Sequence, residues 1–211
     1  ATVAAIGREL TERTRGAPAR KLNVDLTLDG MHLSGSLPEL FGGERLAHVR
    51  VQYSPPEGRH ELRHFVRHVV MRCLAEQEPQ LGLPEASYLI GRKASLCLQL
   101  PGSARAALRE LLALYVEAFS QPLPLFSSAS SKYADCIARG HAREQALSSA
   151  RRAFGDEHSA GRDEAFNQDY ADPYTVQLFG SFEQMLALAG SRFEHTALRL
   201  YQPLIAARQA R

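Results

Sequence analysis

The pair Asp29-Gly30 lies between two stretches in which apolar and polar residues alternate: Leu22, Val24, Leu26 and Leu28 before it, Met31, Leu33, Gly35 and Leu37 after it. Alternation with a period of two gives a strand one apolar face, and Asp-Gly supplies the positive φ angles that a two-residue turn between antiparallel strands requires. A β-hairpin is therefore the element that most restricts the fold. A second turn at Phe41-Gly42-Gly43-Glu44 leads into a third strand with Leu46, Val49 and Val51 as its apolar members, completing a three-stranded meander.

The period then changes. Between Glu57 and Gln77 the residues Leu62, Phe65, Val66, Val69, Val70, Cys73 and Leu74 recur at the three- and four-residue spacing of a helix with one apolar face. Ahead of the meander, Val3, Ile6 and Leu10 predict a helix that runs into the Gly16-Ala17-Pro18 break. Beyond Pro79 and Pro84, residues 87–92 and 94–100 read as a strand pair around Gly91. The order is helix, three strands, helix, strand, and the predicted class is α+β. Residues 1–100 form its mixed core, and residues 101–211 a helical part packed on it as one compact domain. Because the chain opens on Ala1 inside a helical pattern, it is expected to be a piece of a longer subunit.

In the second half, residues 103–119 predict a helix with Ala107, Leu108, Leu111, Leu112, Tyr115 and Phe119 on its packing face, ended by the joint Gln121-Pro122-Leu123-Pro124-Leu125. Phe126 is assigned to the core, and Ser127, Ser128, Ser130 and Ser131 to helix capping ahead of two shorter helices. Residues 155–167 read as a polar loop. Helix starts are expected at Asp172-Pro173 and at the capping-box patterns Ser181-x-x-Gln184 and Ser191-x-x-Glu194, and Pro203 should kink or end the last helix.

Composition narrows the functional classes. The apolar runs fall far short of the ~20 residues that cross a bilayer, and no signal-peptide pattern opens the chain, so a cytoplasmic protein without a membrane partner is expected. Cys73, Cys97 and Cys136 are odd in number and lack a paired C-x-x-C unit, which points to three buried thiols rather than a disulfide framework or zinc knuckle. Net charge is only +2, but with three lysines, Lys21, Lys93 and Lys132, 22 of the 25 basic residues are Arg, suited to bidentate contact with carboxylates or phosphates. Arg-rich coding in a GC-rich genome gives the same bias.

No nucleophile elbow or phosphate-binding glycine loop is present. His60, His64 and His68 fall four apart on one helix flank, a spacing that can ligate zinc, but without an evident acid or thiol partner the flank reads as solvated. Arg59, Arg63 and Arg67 make that same face basic, as a phosphate track or an acidic partner surface would require. No metal, cofactor or catalytic residue is assigned.

The element order is that of the PD-(D/E)xK nuclease fold. Five strings, "DLTLDGMHLSGSL" (25–37), "YLIGR" (88–92), "LLALYVEAFSQPLPLF" (111–126), "DPYTVQLFG" (172–180) and "RLYQPLIAAR" (199–208), resemble the C-terminal region of the exodeoxyribonuclease V gamma subunit, the RecC family. The resemblance implies a nuclease-like domain that does not cut. Its subunit would assemble with RecB-like and RecD-like partners in double-strand-break repair and meet DNA through the whole complex.

Active members of that fold hold Mg²⁺ between an acid on the second strand and an acid on the third, with a Lys two residues on. Here the second strand offers only Glu39, read as a solvated strand-end residue after Pro38 or as a relic of the Pro-Asp pair. The third strand puts His48 and Arg50 where the acid and Lys would stand. The Gln-x-x-x-Tyr spacing of the following helix is occupied by Arg63 and Arg67. A Mg²⁺-dependent nuclease using Glu39 with Glu9 or Glu12, and an autonomous DNA-binding module, are the alternatives.

Overall fold

The computed structural model describes residues 2–42, 46–56, 58–156 and 169–209. They divide into two compact units, Ala1–Leu112 with Ala206–Arg211, and Ala113–Ile205. The first carries α1 (Thr2–Thr14), β1 (Ala19–Leu28), β2 (Met31–Phe41), β3 (Ala47–Val51), α2 (Arg59–Gln77), β4 (Ala86–Ile90) and β5 (Ser95–Gln99). The first part of α3 (Ala104–Ser120) also belongs to it.

The strands form one mixed sheet in the order β1-β2-β3-β4-β5. Leu28 pairs with Met31 across the expected two-residue turn, where Asp29 and Gly30 take φ of 49° and 80°. β2 and β3 are antiparallel, β3 and β4 parallel with α2 as the crossover, and β4 and β5 antiparallel.

Adjacent residues of a strand point to opposite faces of a sheet. On β4, Ser87 meets His64 of α2, whereas Tyr88 lies 3.8 Å beneath the guanidinium of Arg13 on α1. The two helices therefore cover opposite faces, and the sheet is buried between them. Leu26, Leu40, Val49, Phe65, Val69, Met71, Leu74, Leu89 and Leu98 fill this core. The chain returns to it at its other end: the Gln209 N–H donates to the Cys97 carbonyl, and Arg208 donates twice to the buried carboxylate of Glu61 at 2.5 and 2.8 Å.

Two expectations about buried side chains fail. α2 does not turn its histidine flank outward, because His64 and His68 are fully buried while Val66 is 38% exposed. Neutral imidazole packs like an aromatic ring, and the inward arc of the helix runs through Glu61, His64, Phe65, His68 and Met71. Nor are all three thiols buried: Cys73 is, but Cys97 and Cys136 are half-buried.

The second unit carries α4 (Ala129–Ala138), α5 (Arg143–Phe154), α6 (Pro173–Phe179), α7 (Phe182–Ala189) and α8 (Arg192–Ala207), which extends into the returning segment. Its core is aromatic, with Phe126 in edge-to-face contact with Phe154 and Phe179, and Phe182 with Phe193. Asp172 caps α6 through the Tyr174 N–H, and Ser181 and Gln184 form the expected capping box on α7.

α4 has the expected serine, Ser128, as its N-cap residue, without a capping hydrogen bond from that side chain. Its N-terminal N–H groups, on Ser128 and Ala129, donate to the carboxylate of Asp169, some 40 positions away, and Ser130 Oγ accepts from the Phe126 N–H. Pro203 does not end α8, which continues to Ala207. Tyr115 and Phe119, expected in the core, are 62% and 76% exposed and pack edge-to-face on one another. Most of the expected 155–167 loop lies outside the described residues.

Candidate functional site

The site begins with an irregularity in the hairpin. Leu22 pairs with Leu37 but Arg20 with Leu40, so β2 carries one residue more than β1 over this stretch, a β-bulge at Pro38-Glu39. Bulges re-aim side chains. Here the extra residue shifts the phase of the strand, so that Leu37 and Leu40, three positions apart, both bury. Glu39 adopts φ of 68°, a left-handed conformation that a non-glycine residue holds at a cost of about 1–2 kcal/mol. Its carboxylate is thereby brought to the α2 side, where Leu40 lies opposite His48.

Two guanidiniums meet it there. Arg67 of α2 donates to Glu39 at 3.1 Å, and Arg50 of β3 stands 4.0 Å from the same oxygen. His48, two residues before Arg50 and on the same face of β3, stacks on His64 with ring centroids 5.3 Å apart. The sheet and helix thus bring together Glu39, His48, Arg50 and Arg67, residues that the sequence singled out separately. Glu39 is not a solvated strand-end side chain, since β2 continues past it and its carboxylate is paired.

The electrostatics follow from burial. His48 is pushed down to about 4 by burial, reinforced by the Arg67 and Arg50 guanidiniums. His64 and His68 are pushed down to about 2 and about 3, by burial first and then by neighbouring imidazoles and guanidiniums. All three imidazoles are neutral at pH 7. Two guanidiniums against one carboxylate then leave one net positive charge, which opposes the approach of a divalent cation. Among the described residues, no three His, Cys, Asp or Glu side chains converge as a metal site would require.

The cluster is also poorly satisfied. His64 Nε2 lies 3.0 Å from Ser87 Oγ, but both ring nitrogens of His48 and His68 and Nδ1 of His64 are buried without a hydrogen-bond partner. The sequence carries a signal for this burial: His64 and His68 fall on the same helical arc as Phe65 and Met71.

Glu9, the other acid weighed with Glu39, is engaged elsewhere, accepting from Ser95 Oγ on β5 at 2.6 Å and pairing with Arg13. Glu12 is exposed on α1. Of the three arginines singled out on α2, Arg59, Arg63 and Arg67, the last turns toward Glu39 while the other two remain exposed. His60 lies beside these two, its Nε2 3.2 Å from Ser54 Oγ, and is pushed down by burial and then by Arg59, Arg63 and Arg50. That end of α2 is a region of positive potential.

No helix among the described residues is long and apolar enough to cross a membrane. A search of curated proteins finds no match to the chain. The family model described as the RecC C-terminal domain matches residues 1–138, more than half of the 211 residues. It spans the sheet, α1 to α3 and α4, and includes three of the five strings that carry the resemblance, while the strings at 172–180 and 199–208 lie beyond it. The chain belongs to the RecC C-terminal domain family, and with it to the subunits of RecBCD-type complexes.

Proposed function

We infer that this chain is a catalytically silent, nuclease-like domain that serves subunit assembly and DNA guidance in a RecBCD-type helicase and exonuclease, acting in the cytoplasm with RecB-like and RecD-like partners. The element order, the antiparallel β1-β2-β3 meander and the parallel return of β4 through α2 support a PD-(D/E)xK core.

One observation carries the silent reading. At the edge where catalysts of that fold bind Mg²⁺, the carboxylate of Glu39 is ion-paired with Arg67, and the two β3 positions are a neutral imidazole and a guanidinium. An arginine bound to the remaining acid does the charge neutralisation that a metal would otherwise do. It supplies no activated water and no Lewis acid at the phosphate. Hydrolysis in the assembly is then the work of another subunit.

The test is hydrolysis of linear DNA by the purified chain with Mg²⁺ or Mn²⁺, run beside Glu39→Ala. The expected result is no cleavage by either protein above the level of a mock purification. Cleavage by the parent chain that Glu39→Ala abolishes would remove the reading. The assembly role is checked by copurification of the chain with the two partner subunits.

A further inference from the structure

At the end of the sheet where β3 and β4 finish, a second group of residues takes no part in the Glu39 cluster. Tyr53, just past β3, is 61% exposed, and the guanidinium of Arg92 lies over its ring at 5.7 Å. The two loops that carry them are tied together. The Gln52 N–H donates to the Ile90 carbonyl, the Arg92 N–H to the Ser54 carbonyl, and the Gly91 N–H closes the β4-β5 turn on the Ala94 carbonyl. Gly91 is packed so closely that a Cβ there would stand 2.6 Å from Pro56 Cδ and 2.9 Å from the Ser54 carbonyl oxygen. Gln52 Nε2 braces the same loop from within, donating to the Pro55 carbonyl at 2.8 Å. Tyr53 is therefore an exposed ring on a braced loop.

Among the described residues, the exposed charge around it is positive. Arg59 and Arg63 flank His60, which the Ser54 hydroxyl ties to the Tyr53 loop, and Arg92 and Lys93 form the adjoining turn. All four cations are exposed and form no ion pair among the described residues. Glu57, which follows Pro56 in the sequence, lies outside those residues. The acids nearest in sequence on α2 and β2 are occupied, Glu61 by Arg208 and Glu39 by Arg67. α2 also opens on Gly58 with no side-chain cap on its first turn, so the positive end of the helix faces the same loop.

We propose that Tyr53, with Arg92 over its ring and Arg59, Arg63 and Lys93 around it, is a stacking site for single-stranded nucleic acid, the ring taking a base and the cations the backbone phosphates. An acidic peptide would satisfy the cations but gives no reason for an exposed ring held this way. A base has a π-face to stack on Tyr and a phosphate within reach of the arginines. Neither Tyr53 nor Arg92 belongs to the degenerate metal edge. The proposal refines the DNA-guidance half of the reading above by naming the strand state and the residues that meet it, and it does not depend on whether Glu39 is silent.

The experiment uses the whole 211-residue chain and fluorescence anisotropy with two probes, oligo(dT) and an abasic deoxyribose-phosphate chain of the same length, with polyglutamate as competitor. Tyr53→Ala should weaken oligo(dT) binding by about fivefold or more and leave abasic binding unchanged, and Tyr53→Phe should restore it. Arg59→Ala plus Arg63→Ala should weaken both probes alike and flatten the salt dependence by roughly 0.7 in log-log slope for each phosphate that is no longer neutralised. Crosslinking of 5-iodouridine DNA to the peptide containing Tyr53 supplies a readout that needs no variant to fold. No binding of oligo(dT), equal loss of both probes in Tyr53→Ala, stronger displacement by polyglutamate than by DNA, or crosslinks confined to other peptides would each overturn the proposal. Cleavage of linear DNA that disappears in Glu39→Ala would instead remove the silent-nuclease reading and leave this one standing.

Discussion

Glu39 sits in a backbone conformation that disfavours it, and the ion pair with Arg67 is the visible return for that strain. Substitutions separate the two contributions. Glu39→Ala keeps the left-handed strain and strands Arg67 and Arg50 against each other, so thermal unfolding should report a loss of about 0.5–1.5 kcal/mol. Glu39→Gly removes the same carboxylate but relieves the backbone, and should come out about 1 kcal/mol more stable than Glu39→Ala. A Gly variant no better than Ala would mean that the bulge is not strained. The neighbouring imidazoles make a second prediction. Each of His48, His64 and His68 is neutral in the folded chain and binds a proton below about 6.5 when unfolded. The unfolded state therefore takes up more protons, and stability is complete above pH 6.5 and lost as the pH falls. The three together should steepen the loss to about 4 kcal/mol per pH unit until the highest folded value, near 4, is approached. Denaturant midpoints from pH 7.5 to 5 check this, and His68→Leu should remove about a third of the slope. A stability that is flat over that range would contradict the buried, neutral assignment.

At the scale of elements, the parts of the fold that local chemistry dictates are legible in the sequence. Asp29-Gly30 forces the hairpin, the periodic apolar run before Gln77 forces α2, and Asp172-Pro173 and Ser181-x-x-Gln184 mark helix starts where the caps are found. What distant residues decide is not legible. The capping carboxylate of α4 comes from Asp169, and the partner of buried Glu61 comes from Arg208, 147 positions away. The Pro38-Glu39 bulge needs the register of β1 to be seen, and the inward histidines of α2 escape any reading that counts imidazole as polar. Tyr115 and Phe119 fail for a related reason, since their spacing specifies a shared face without saying whether anything covers it. The turn between β4 and β5 gives this scale its own test. Gly91→Ala drives a methyl group into Pro56 and the Ser54 carbonyl, and should destabilise the chain by about 1–3 kcal/mol in urea unfolding. Gly35→Ala, on β2 with open space around it, should lie within about 0.5 kcal/mol of the parent. Equal effects would mean that the two loops are not clamped together.

For the whole molecule, the family match and the charge balance at Glu39 bear on different questions. The first ties residues 1–138 to the RecC C-terminal domain and so to a complex of several subunits. The second concerns what this chain contributes there, and it turns on whether an arginine or a divalent ion holds the carboxylate of β2. The candidate site is half legible: Glu39, His48, Arg50 and Arg67 can be named from strand order, but their convergence, and Arg67 as the partner of Glu39, require the fold. The most direct measurement is anomalous diffraction at the manganese edge from crystals of the chain grown with Mn²⁺. The account predicts Arg67 on Glu39 and no anomalous peak within bonding distance of that carboxylate. A manganese ion held there by two or more acids of the chain would contradict it.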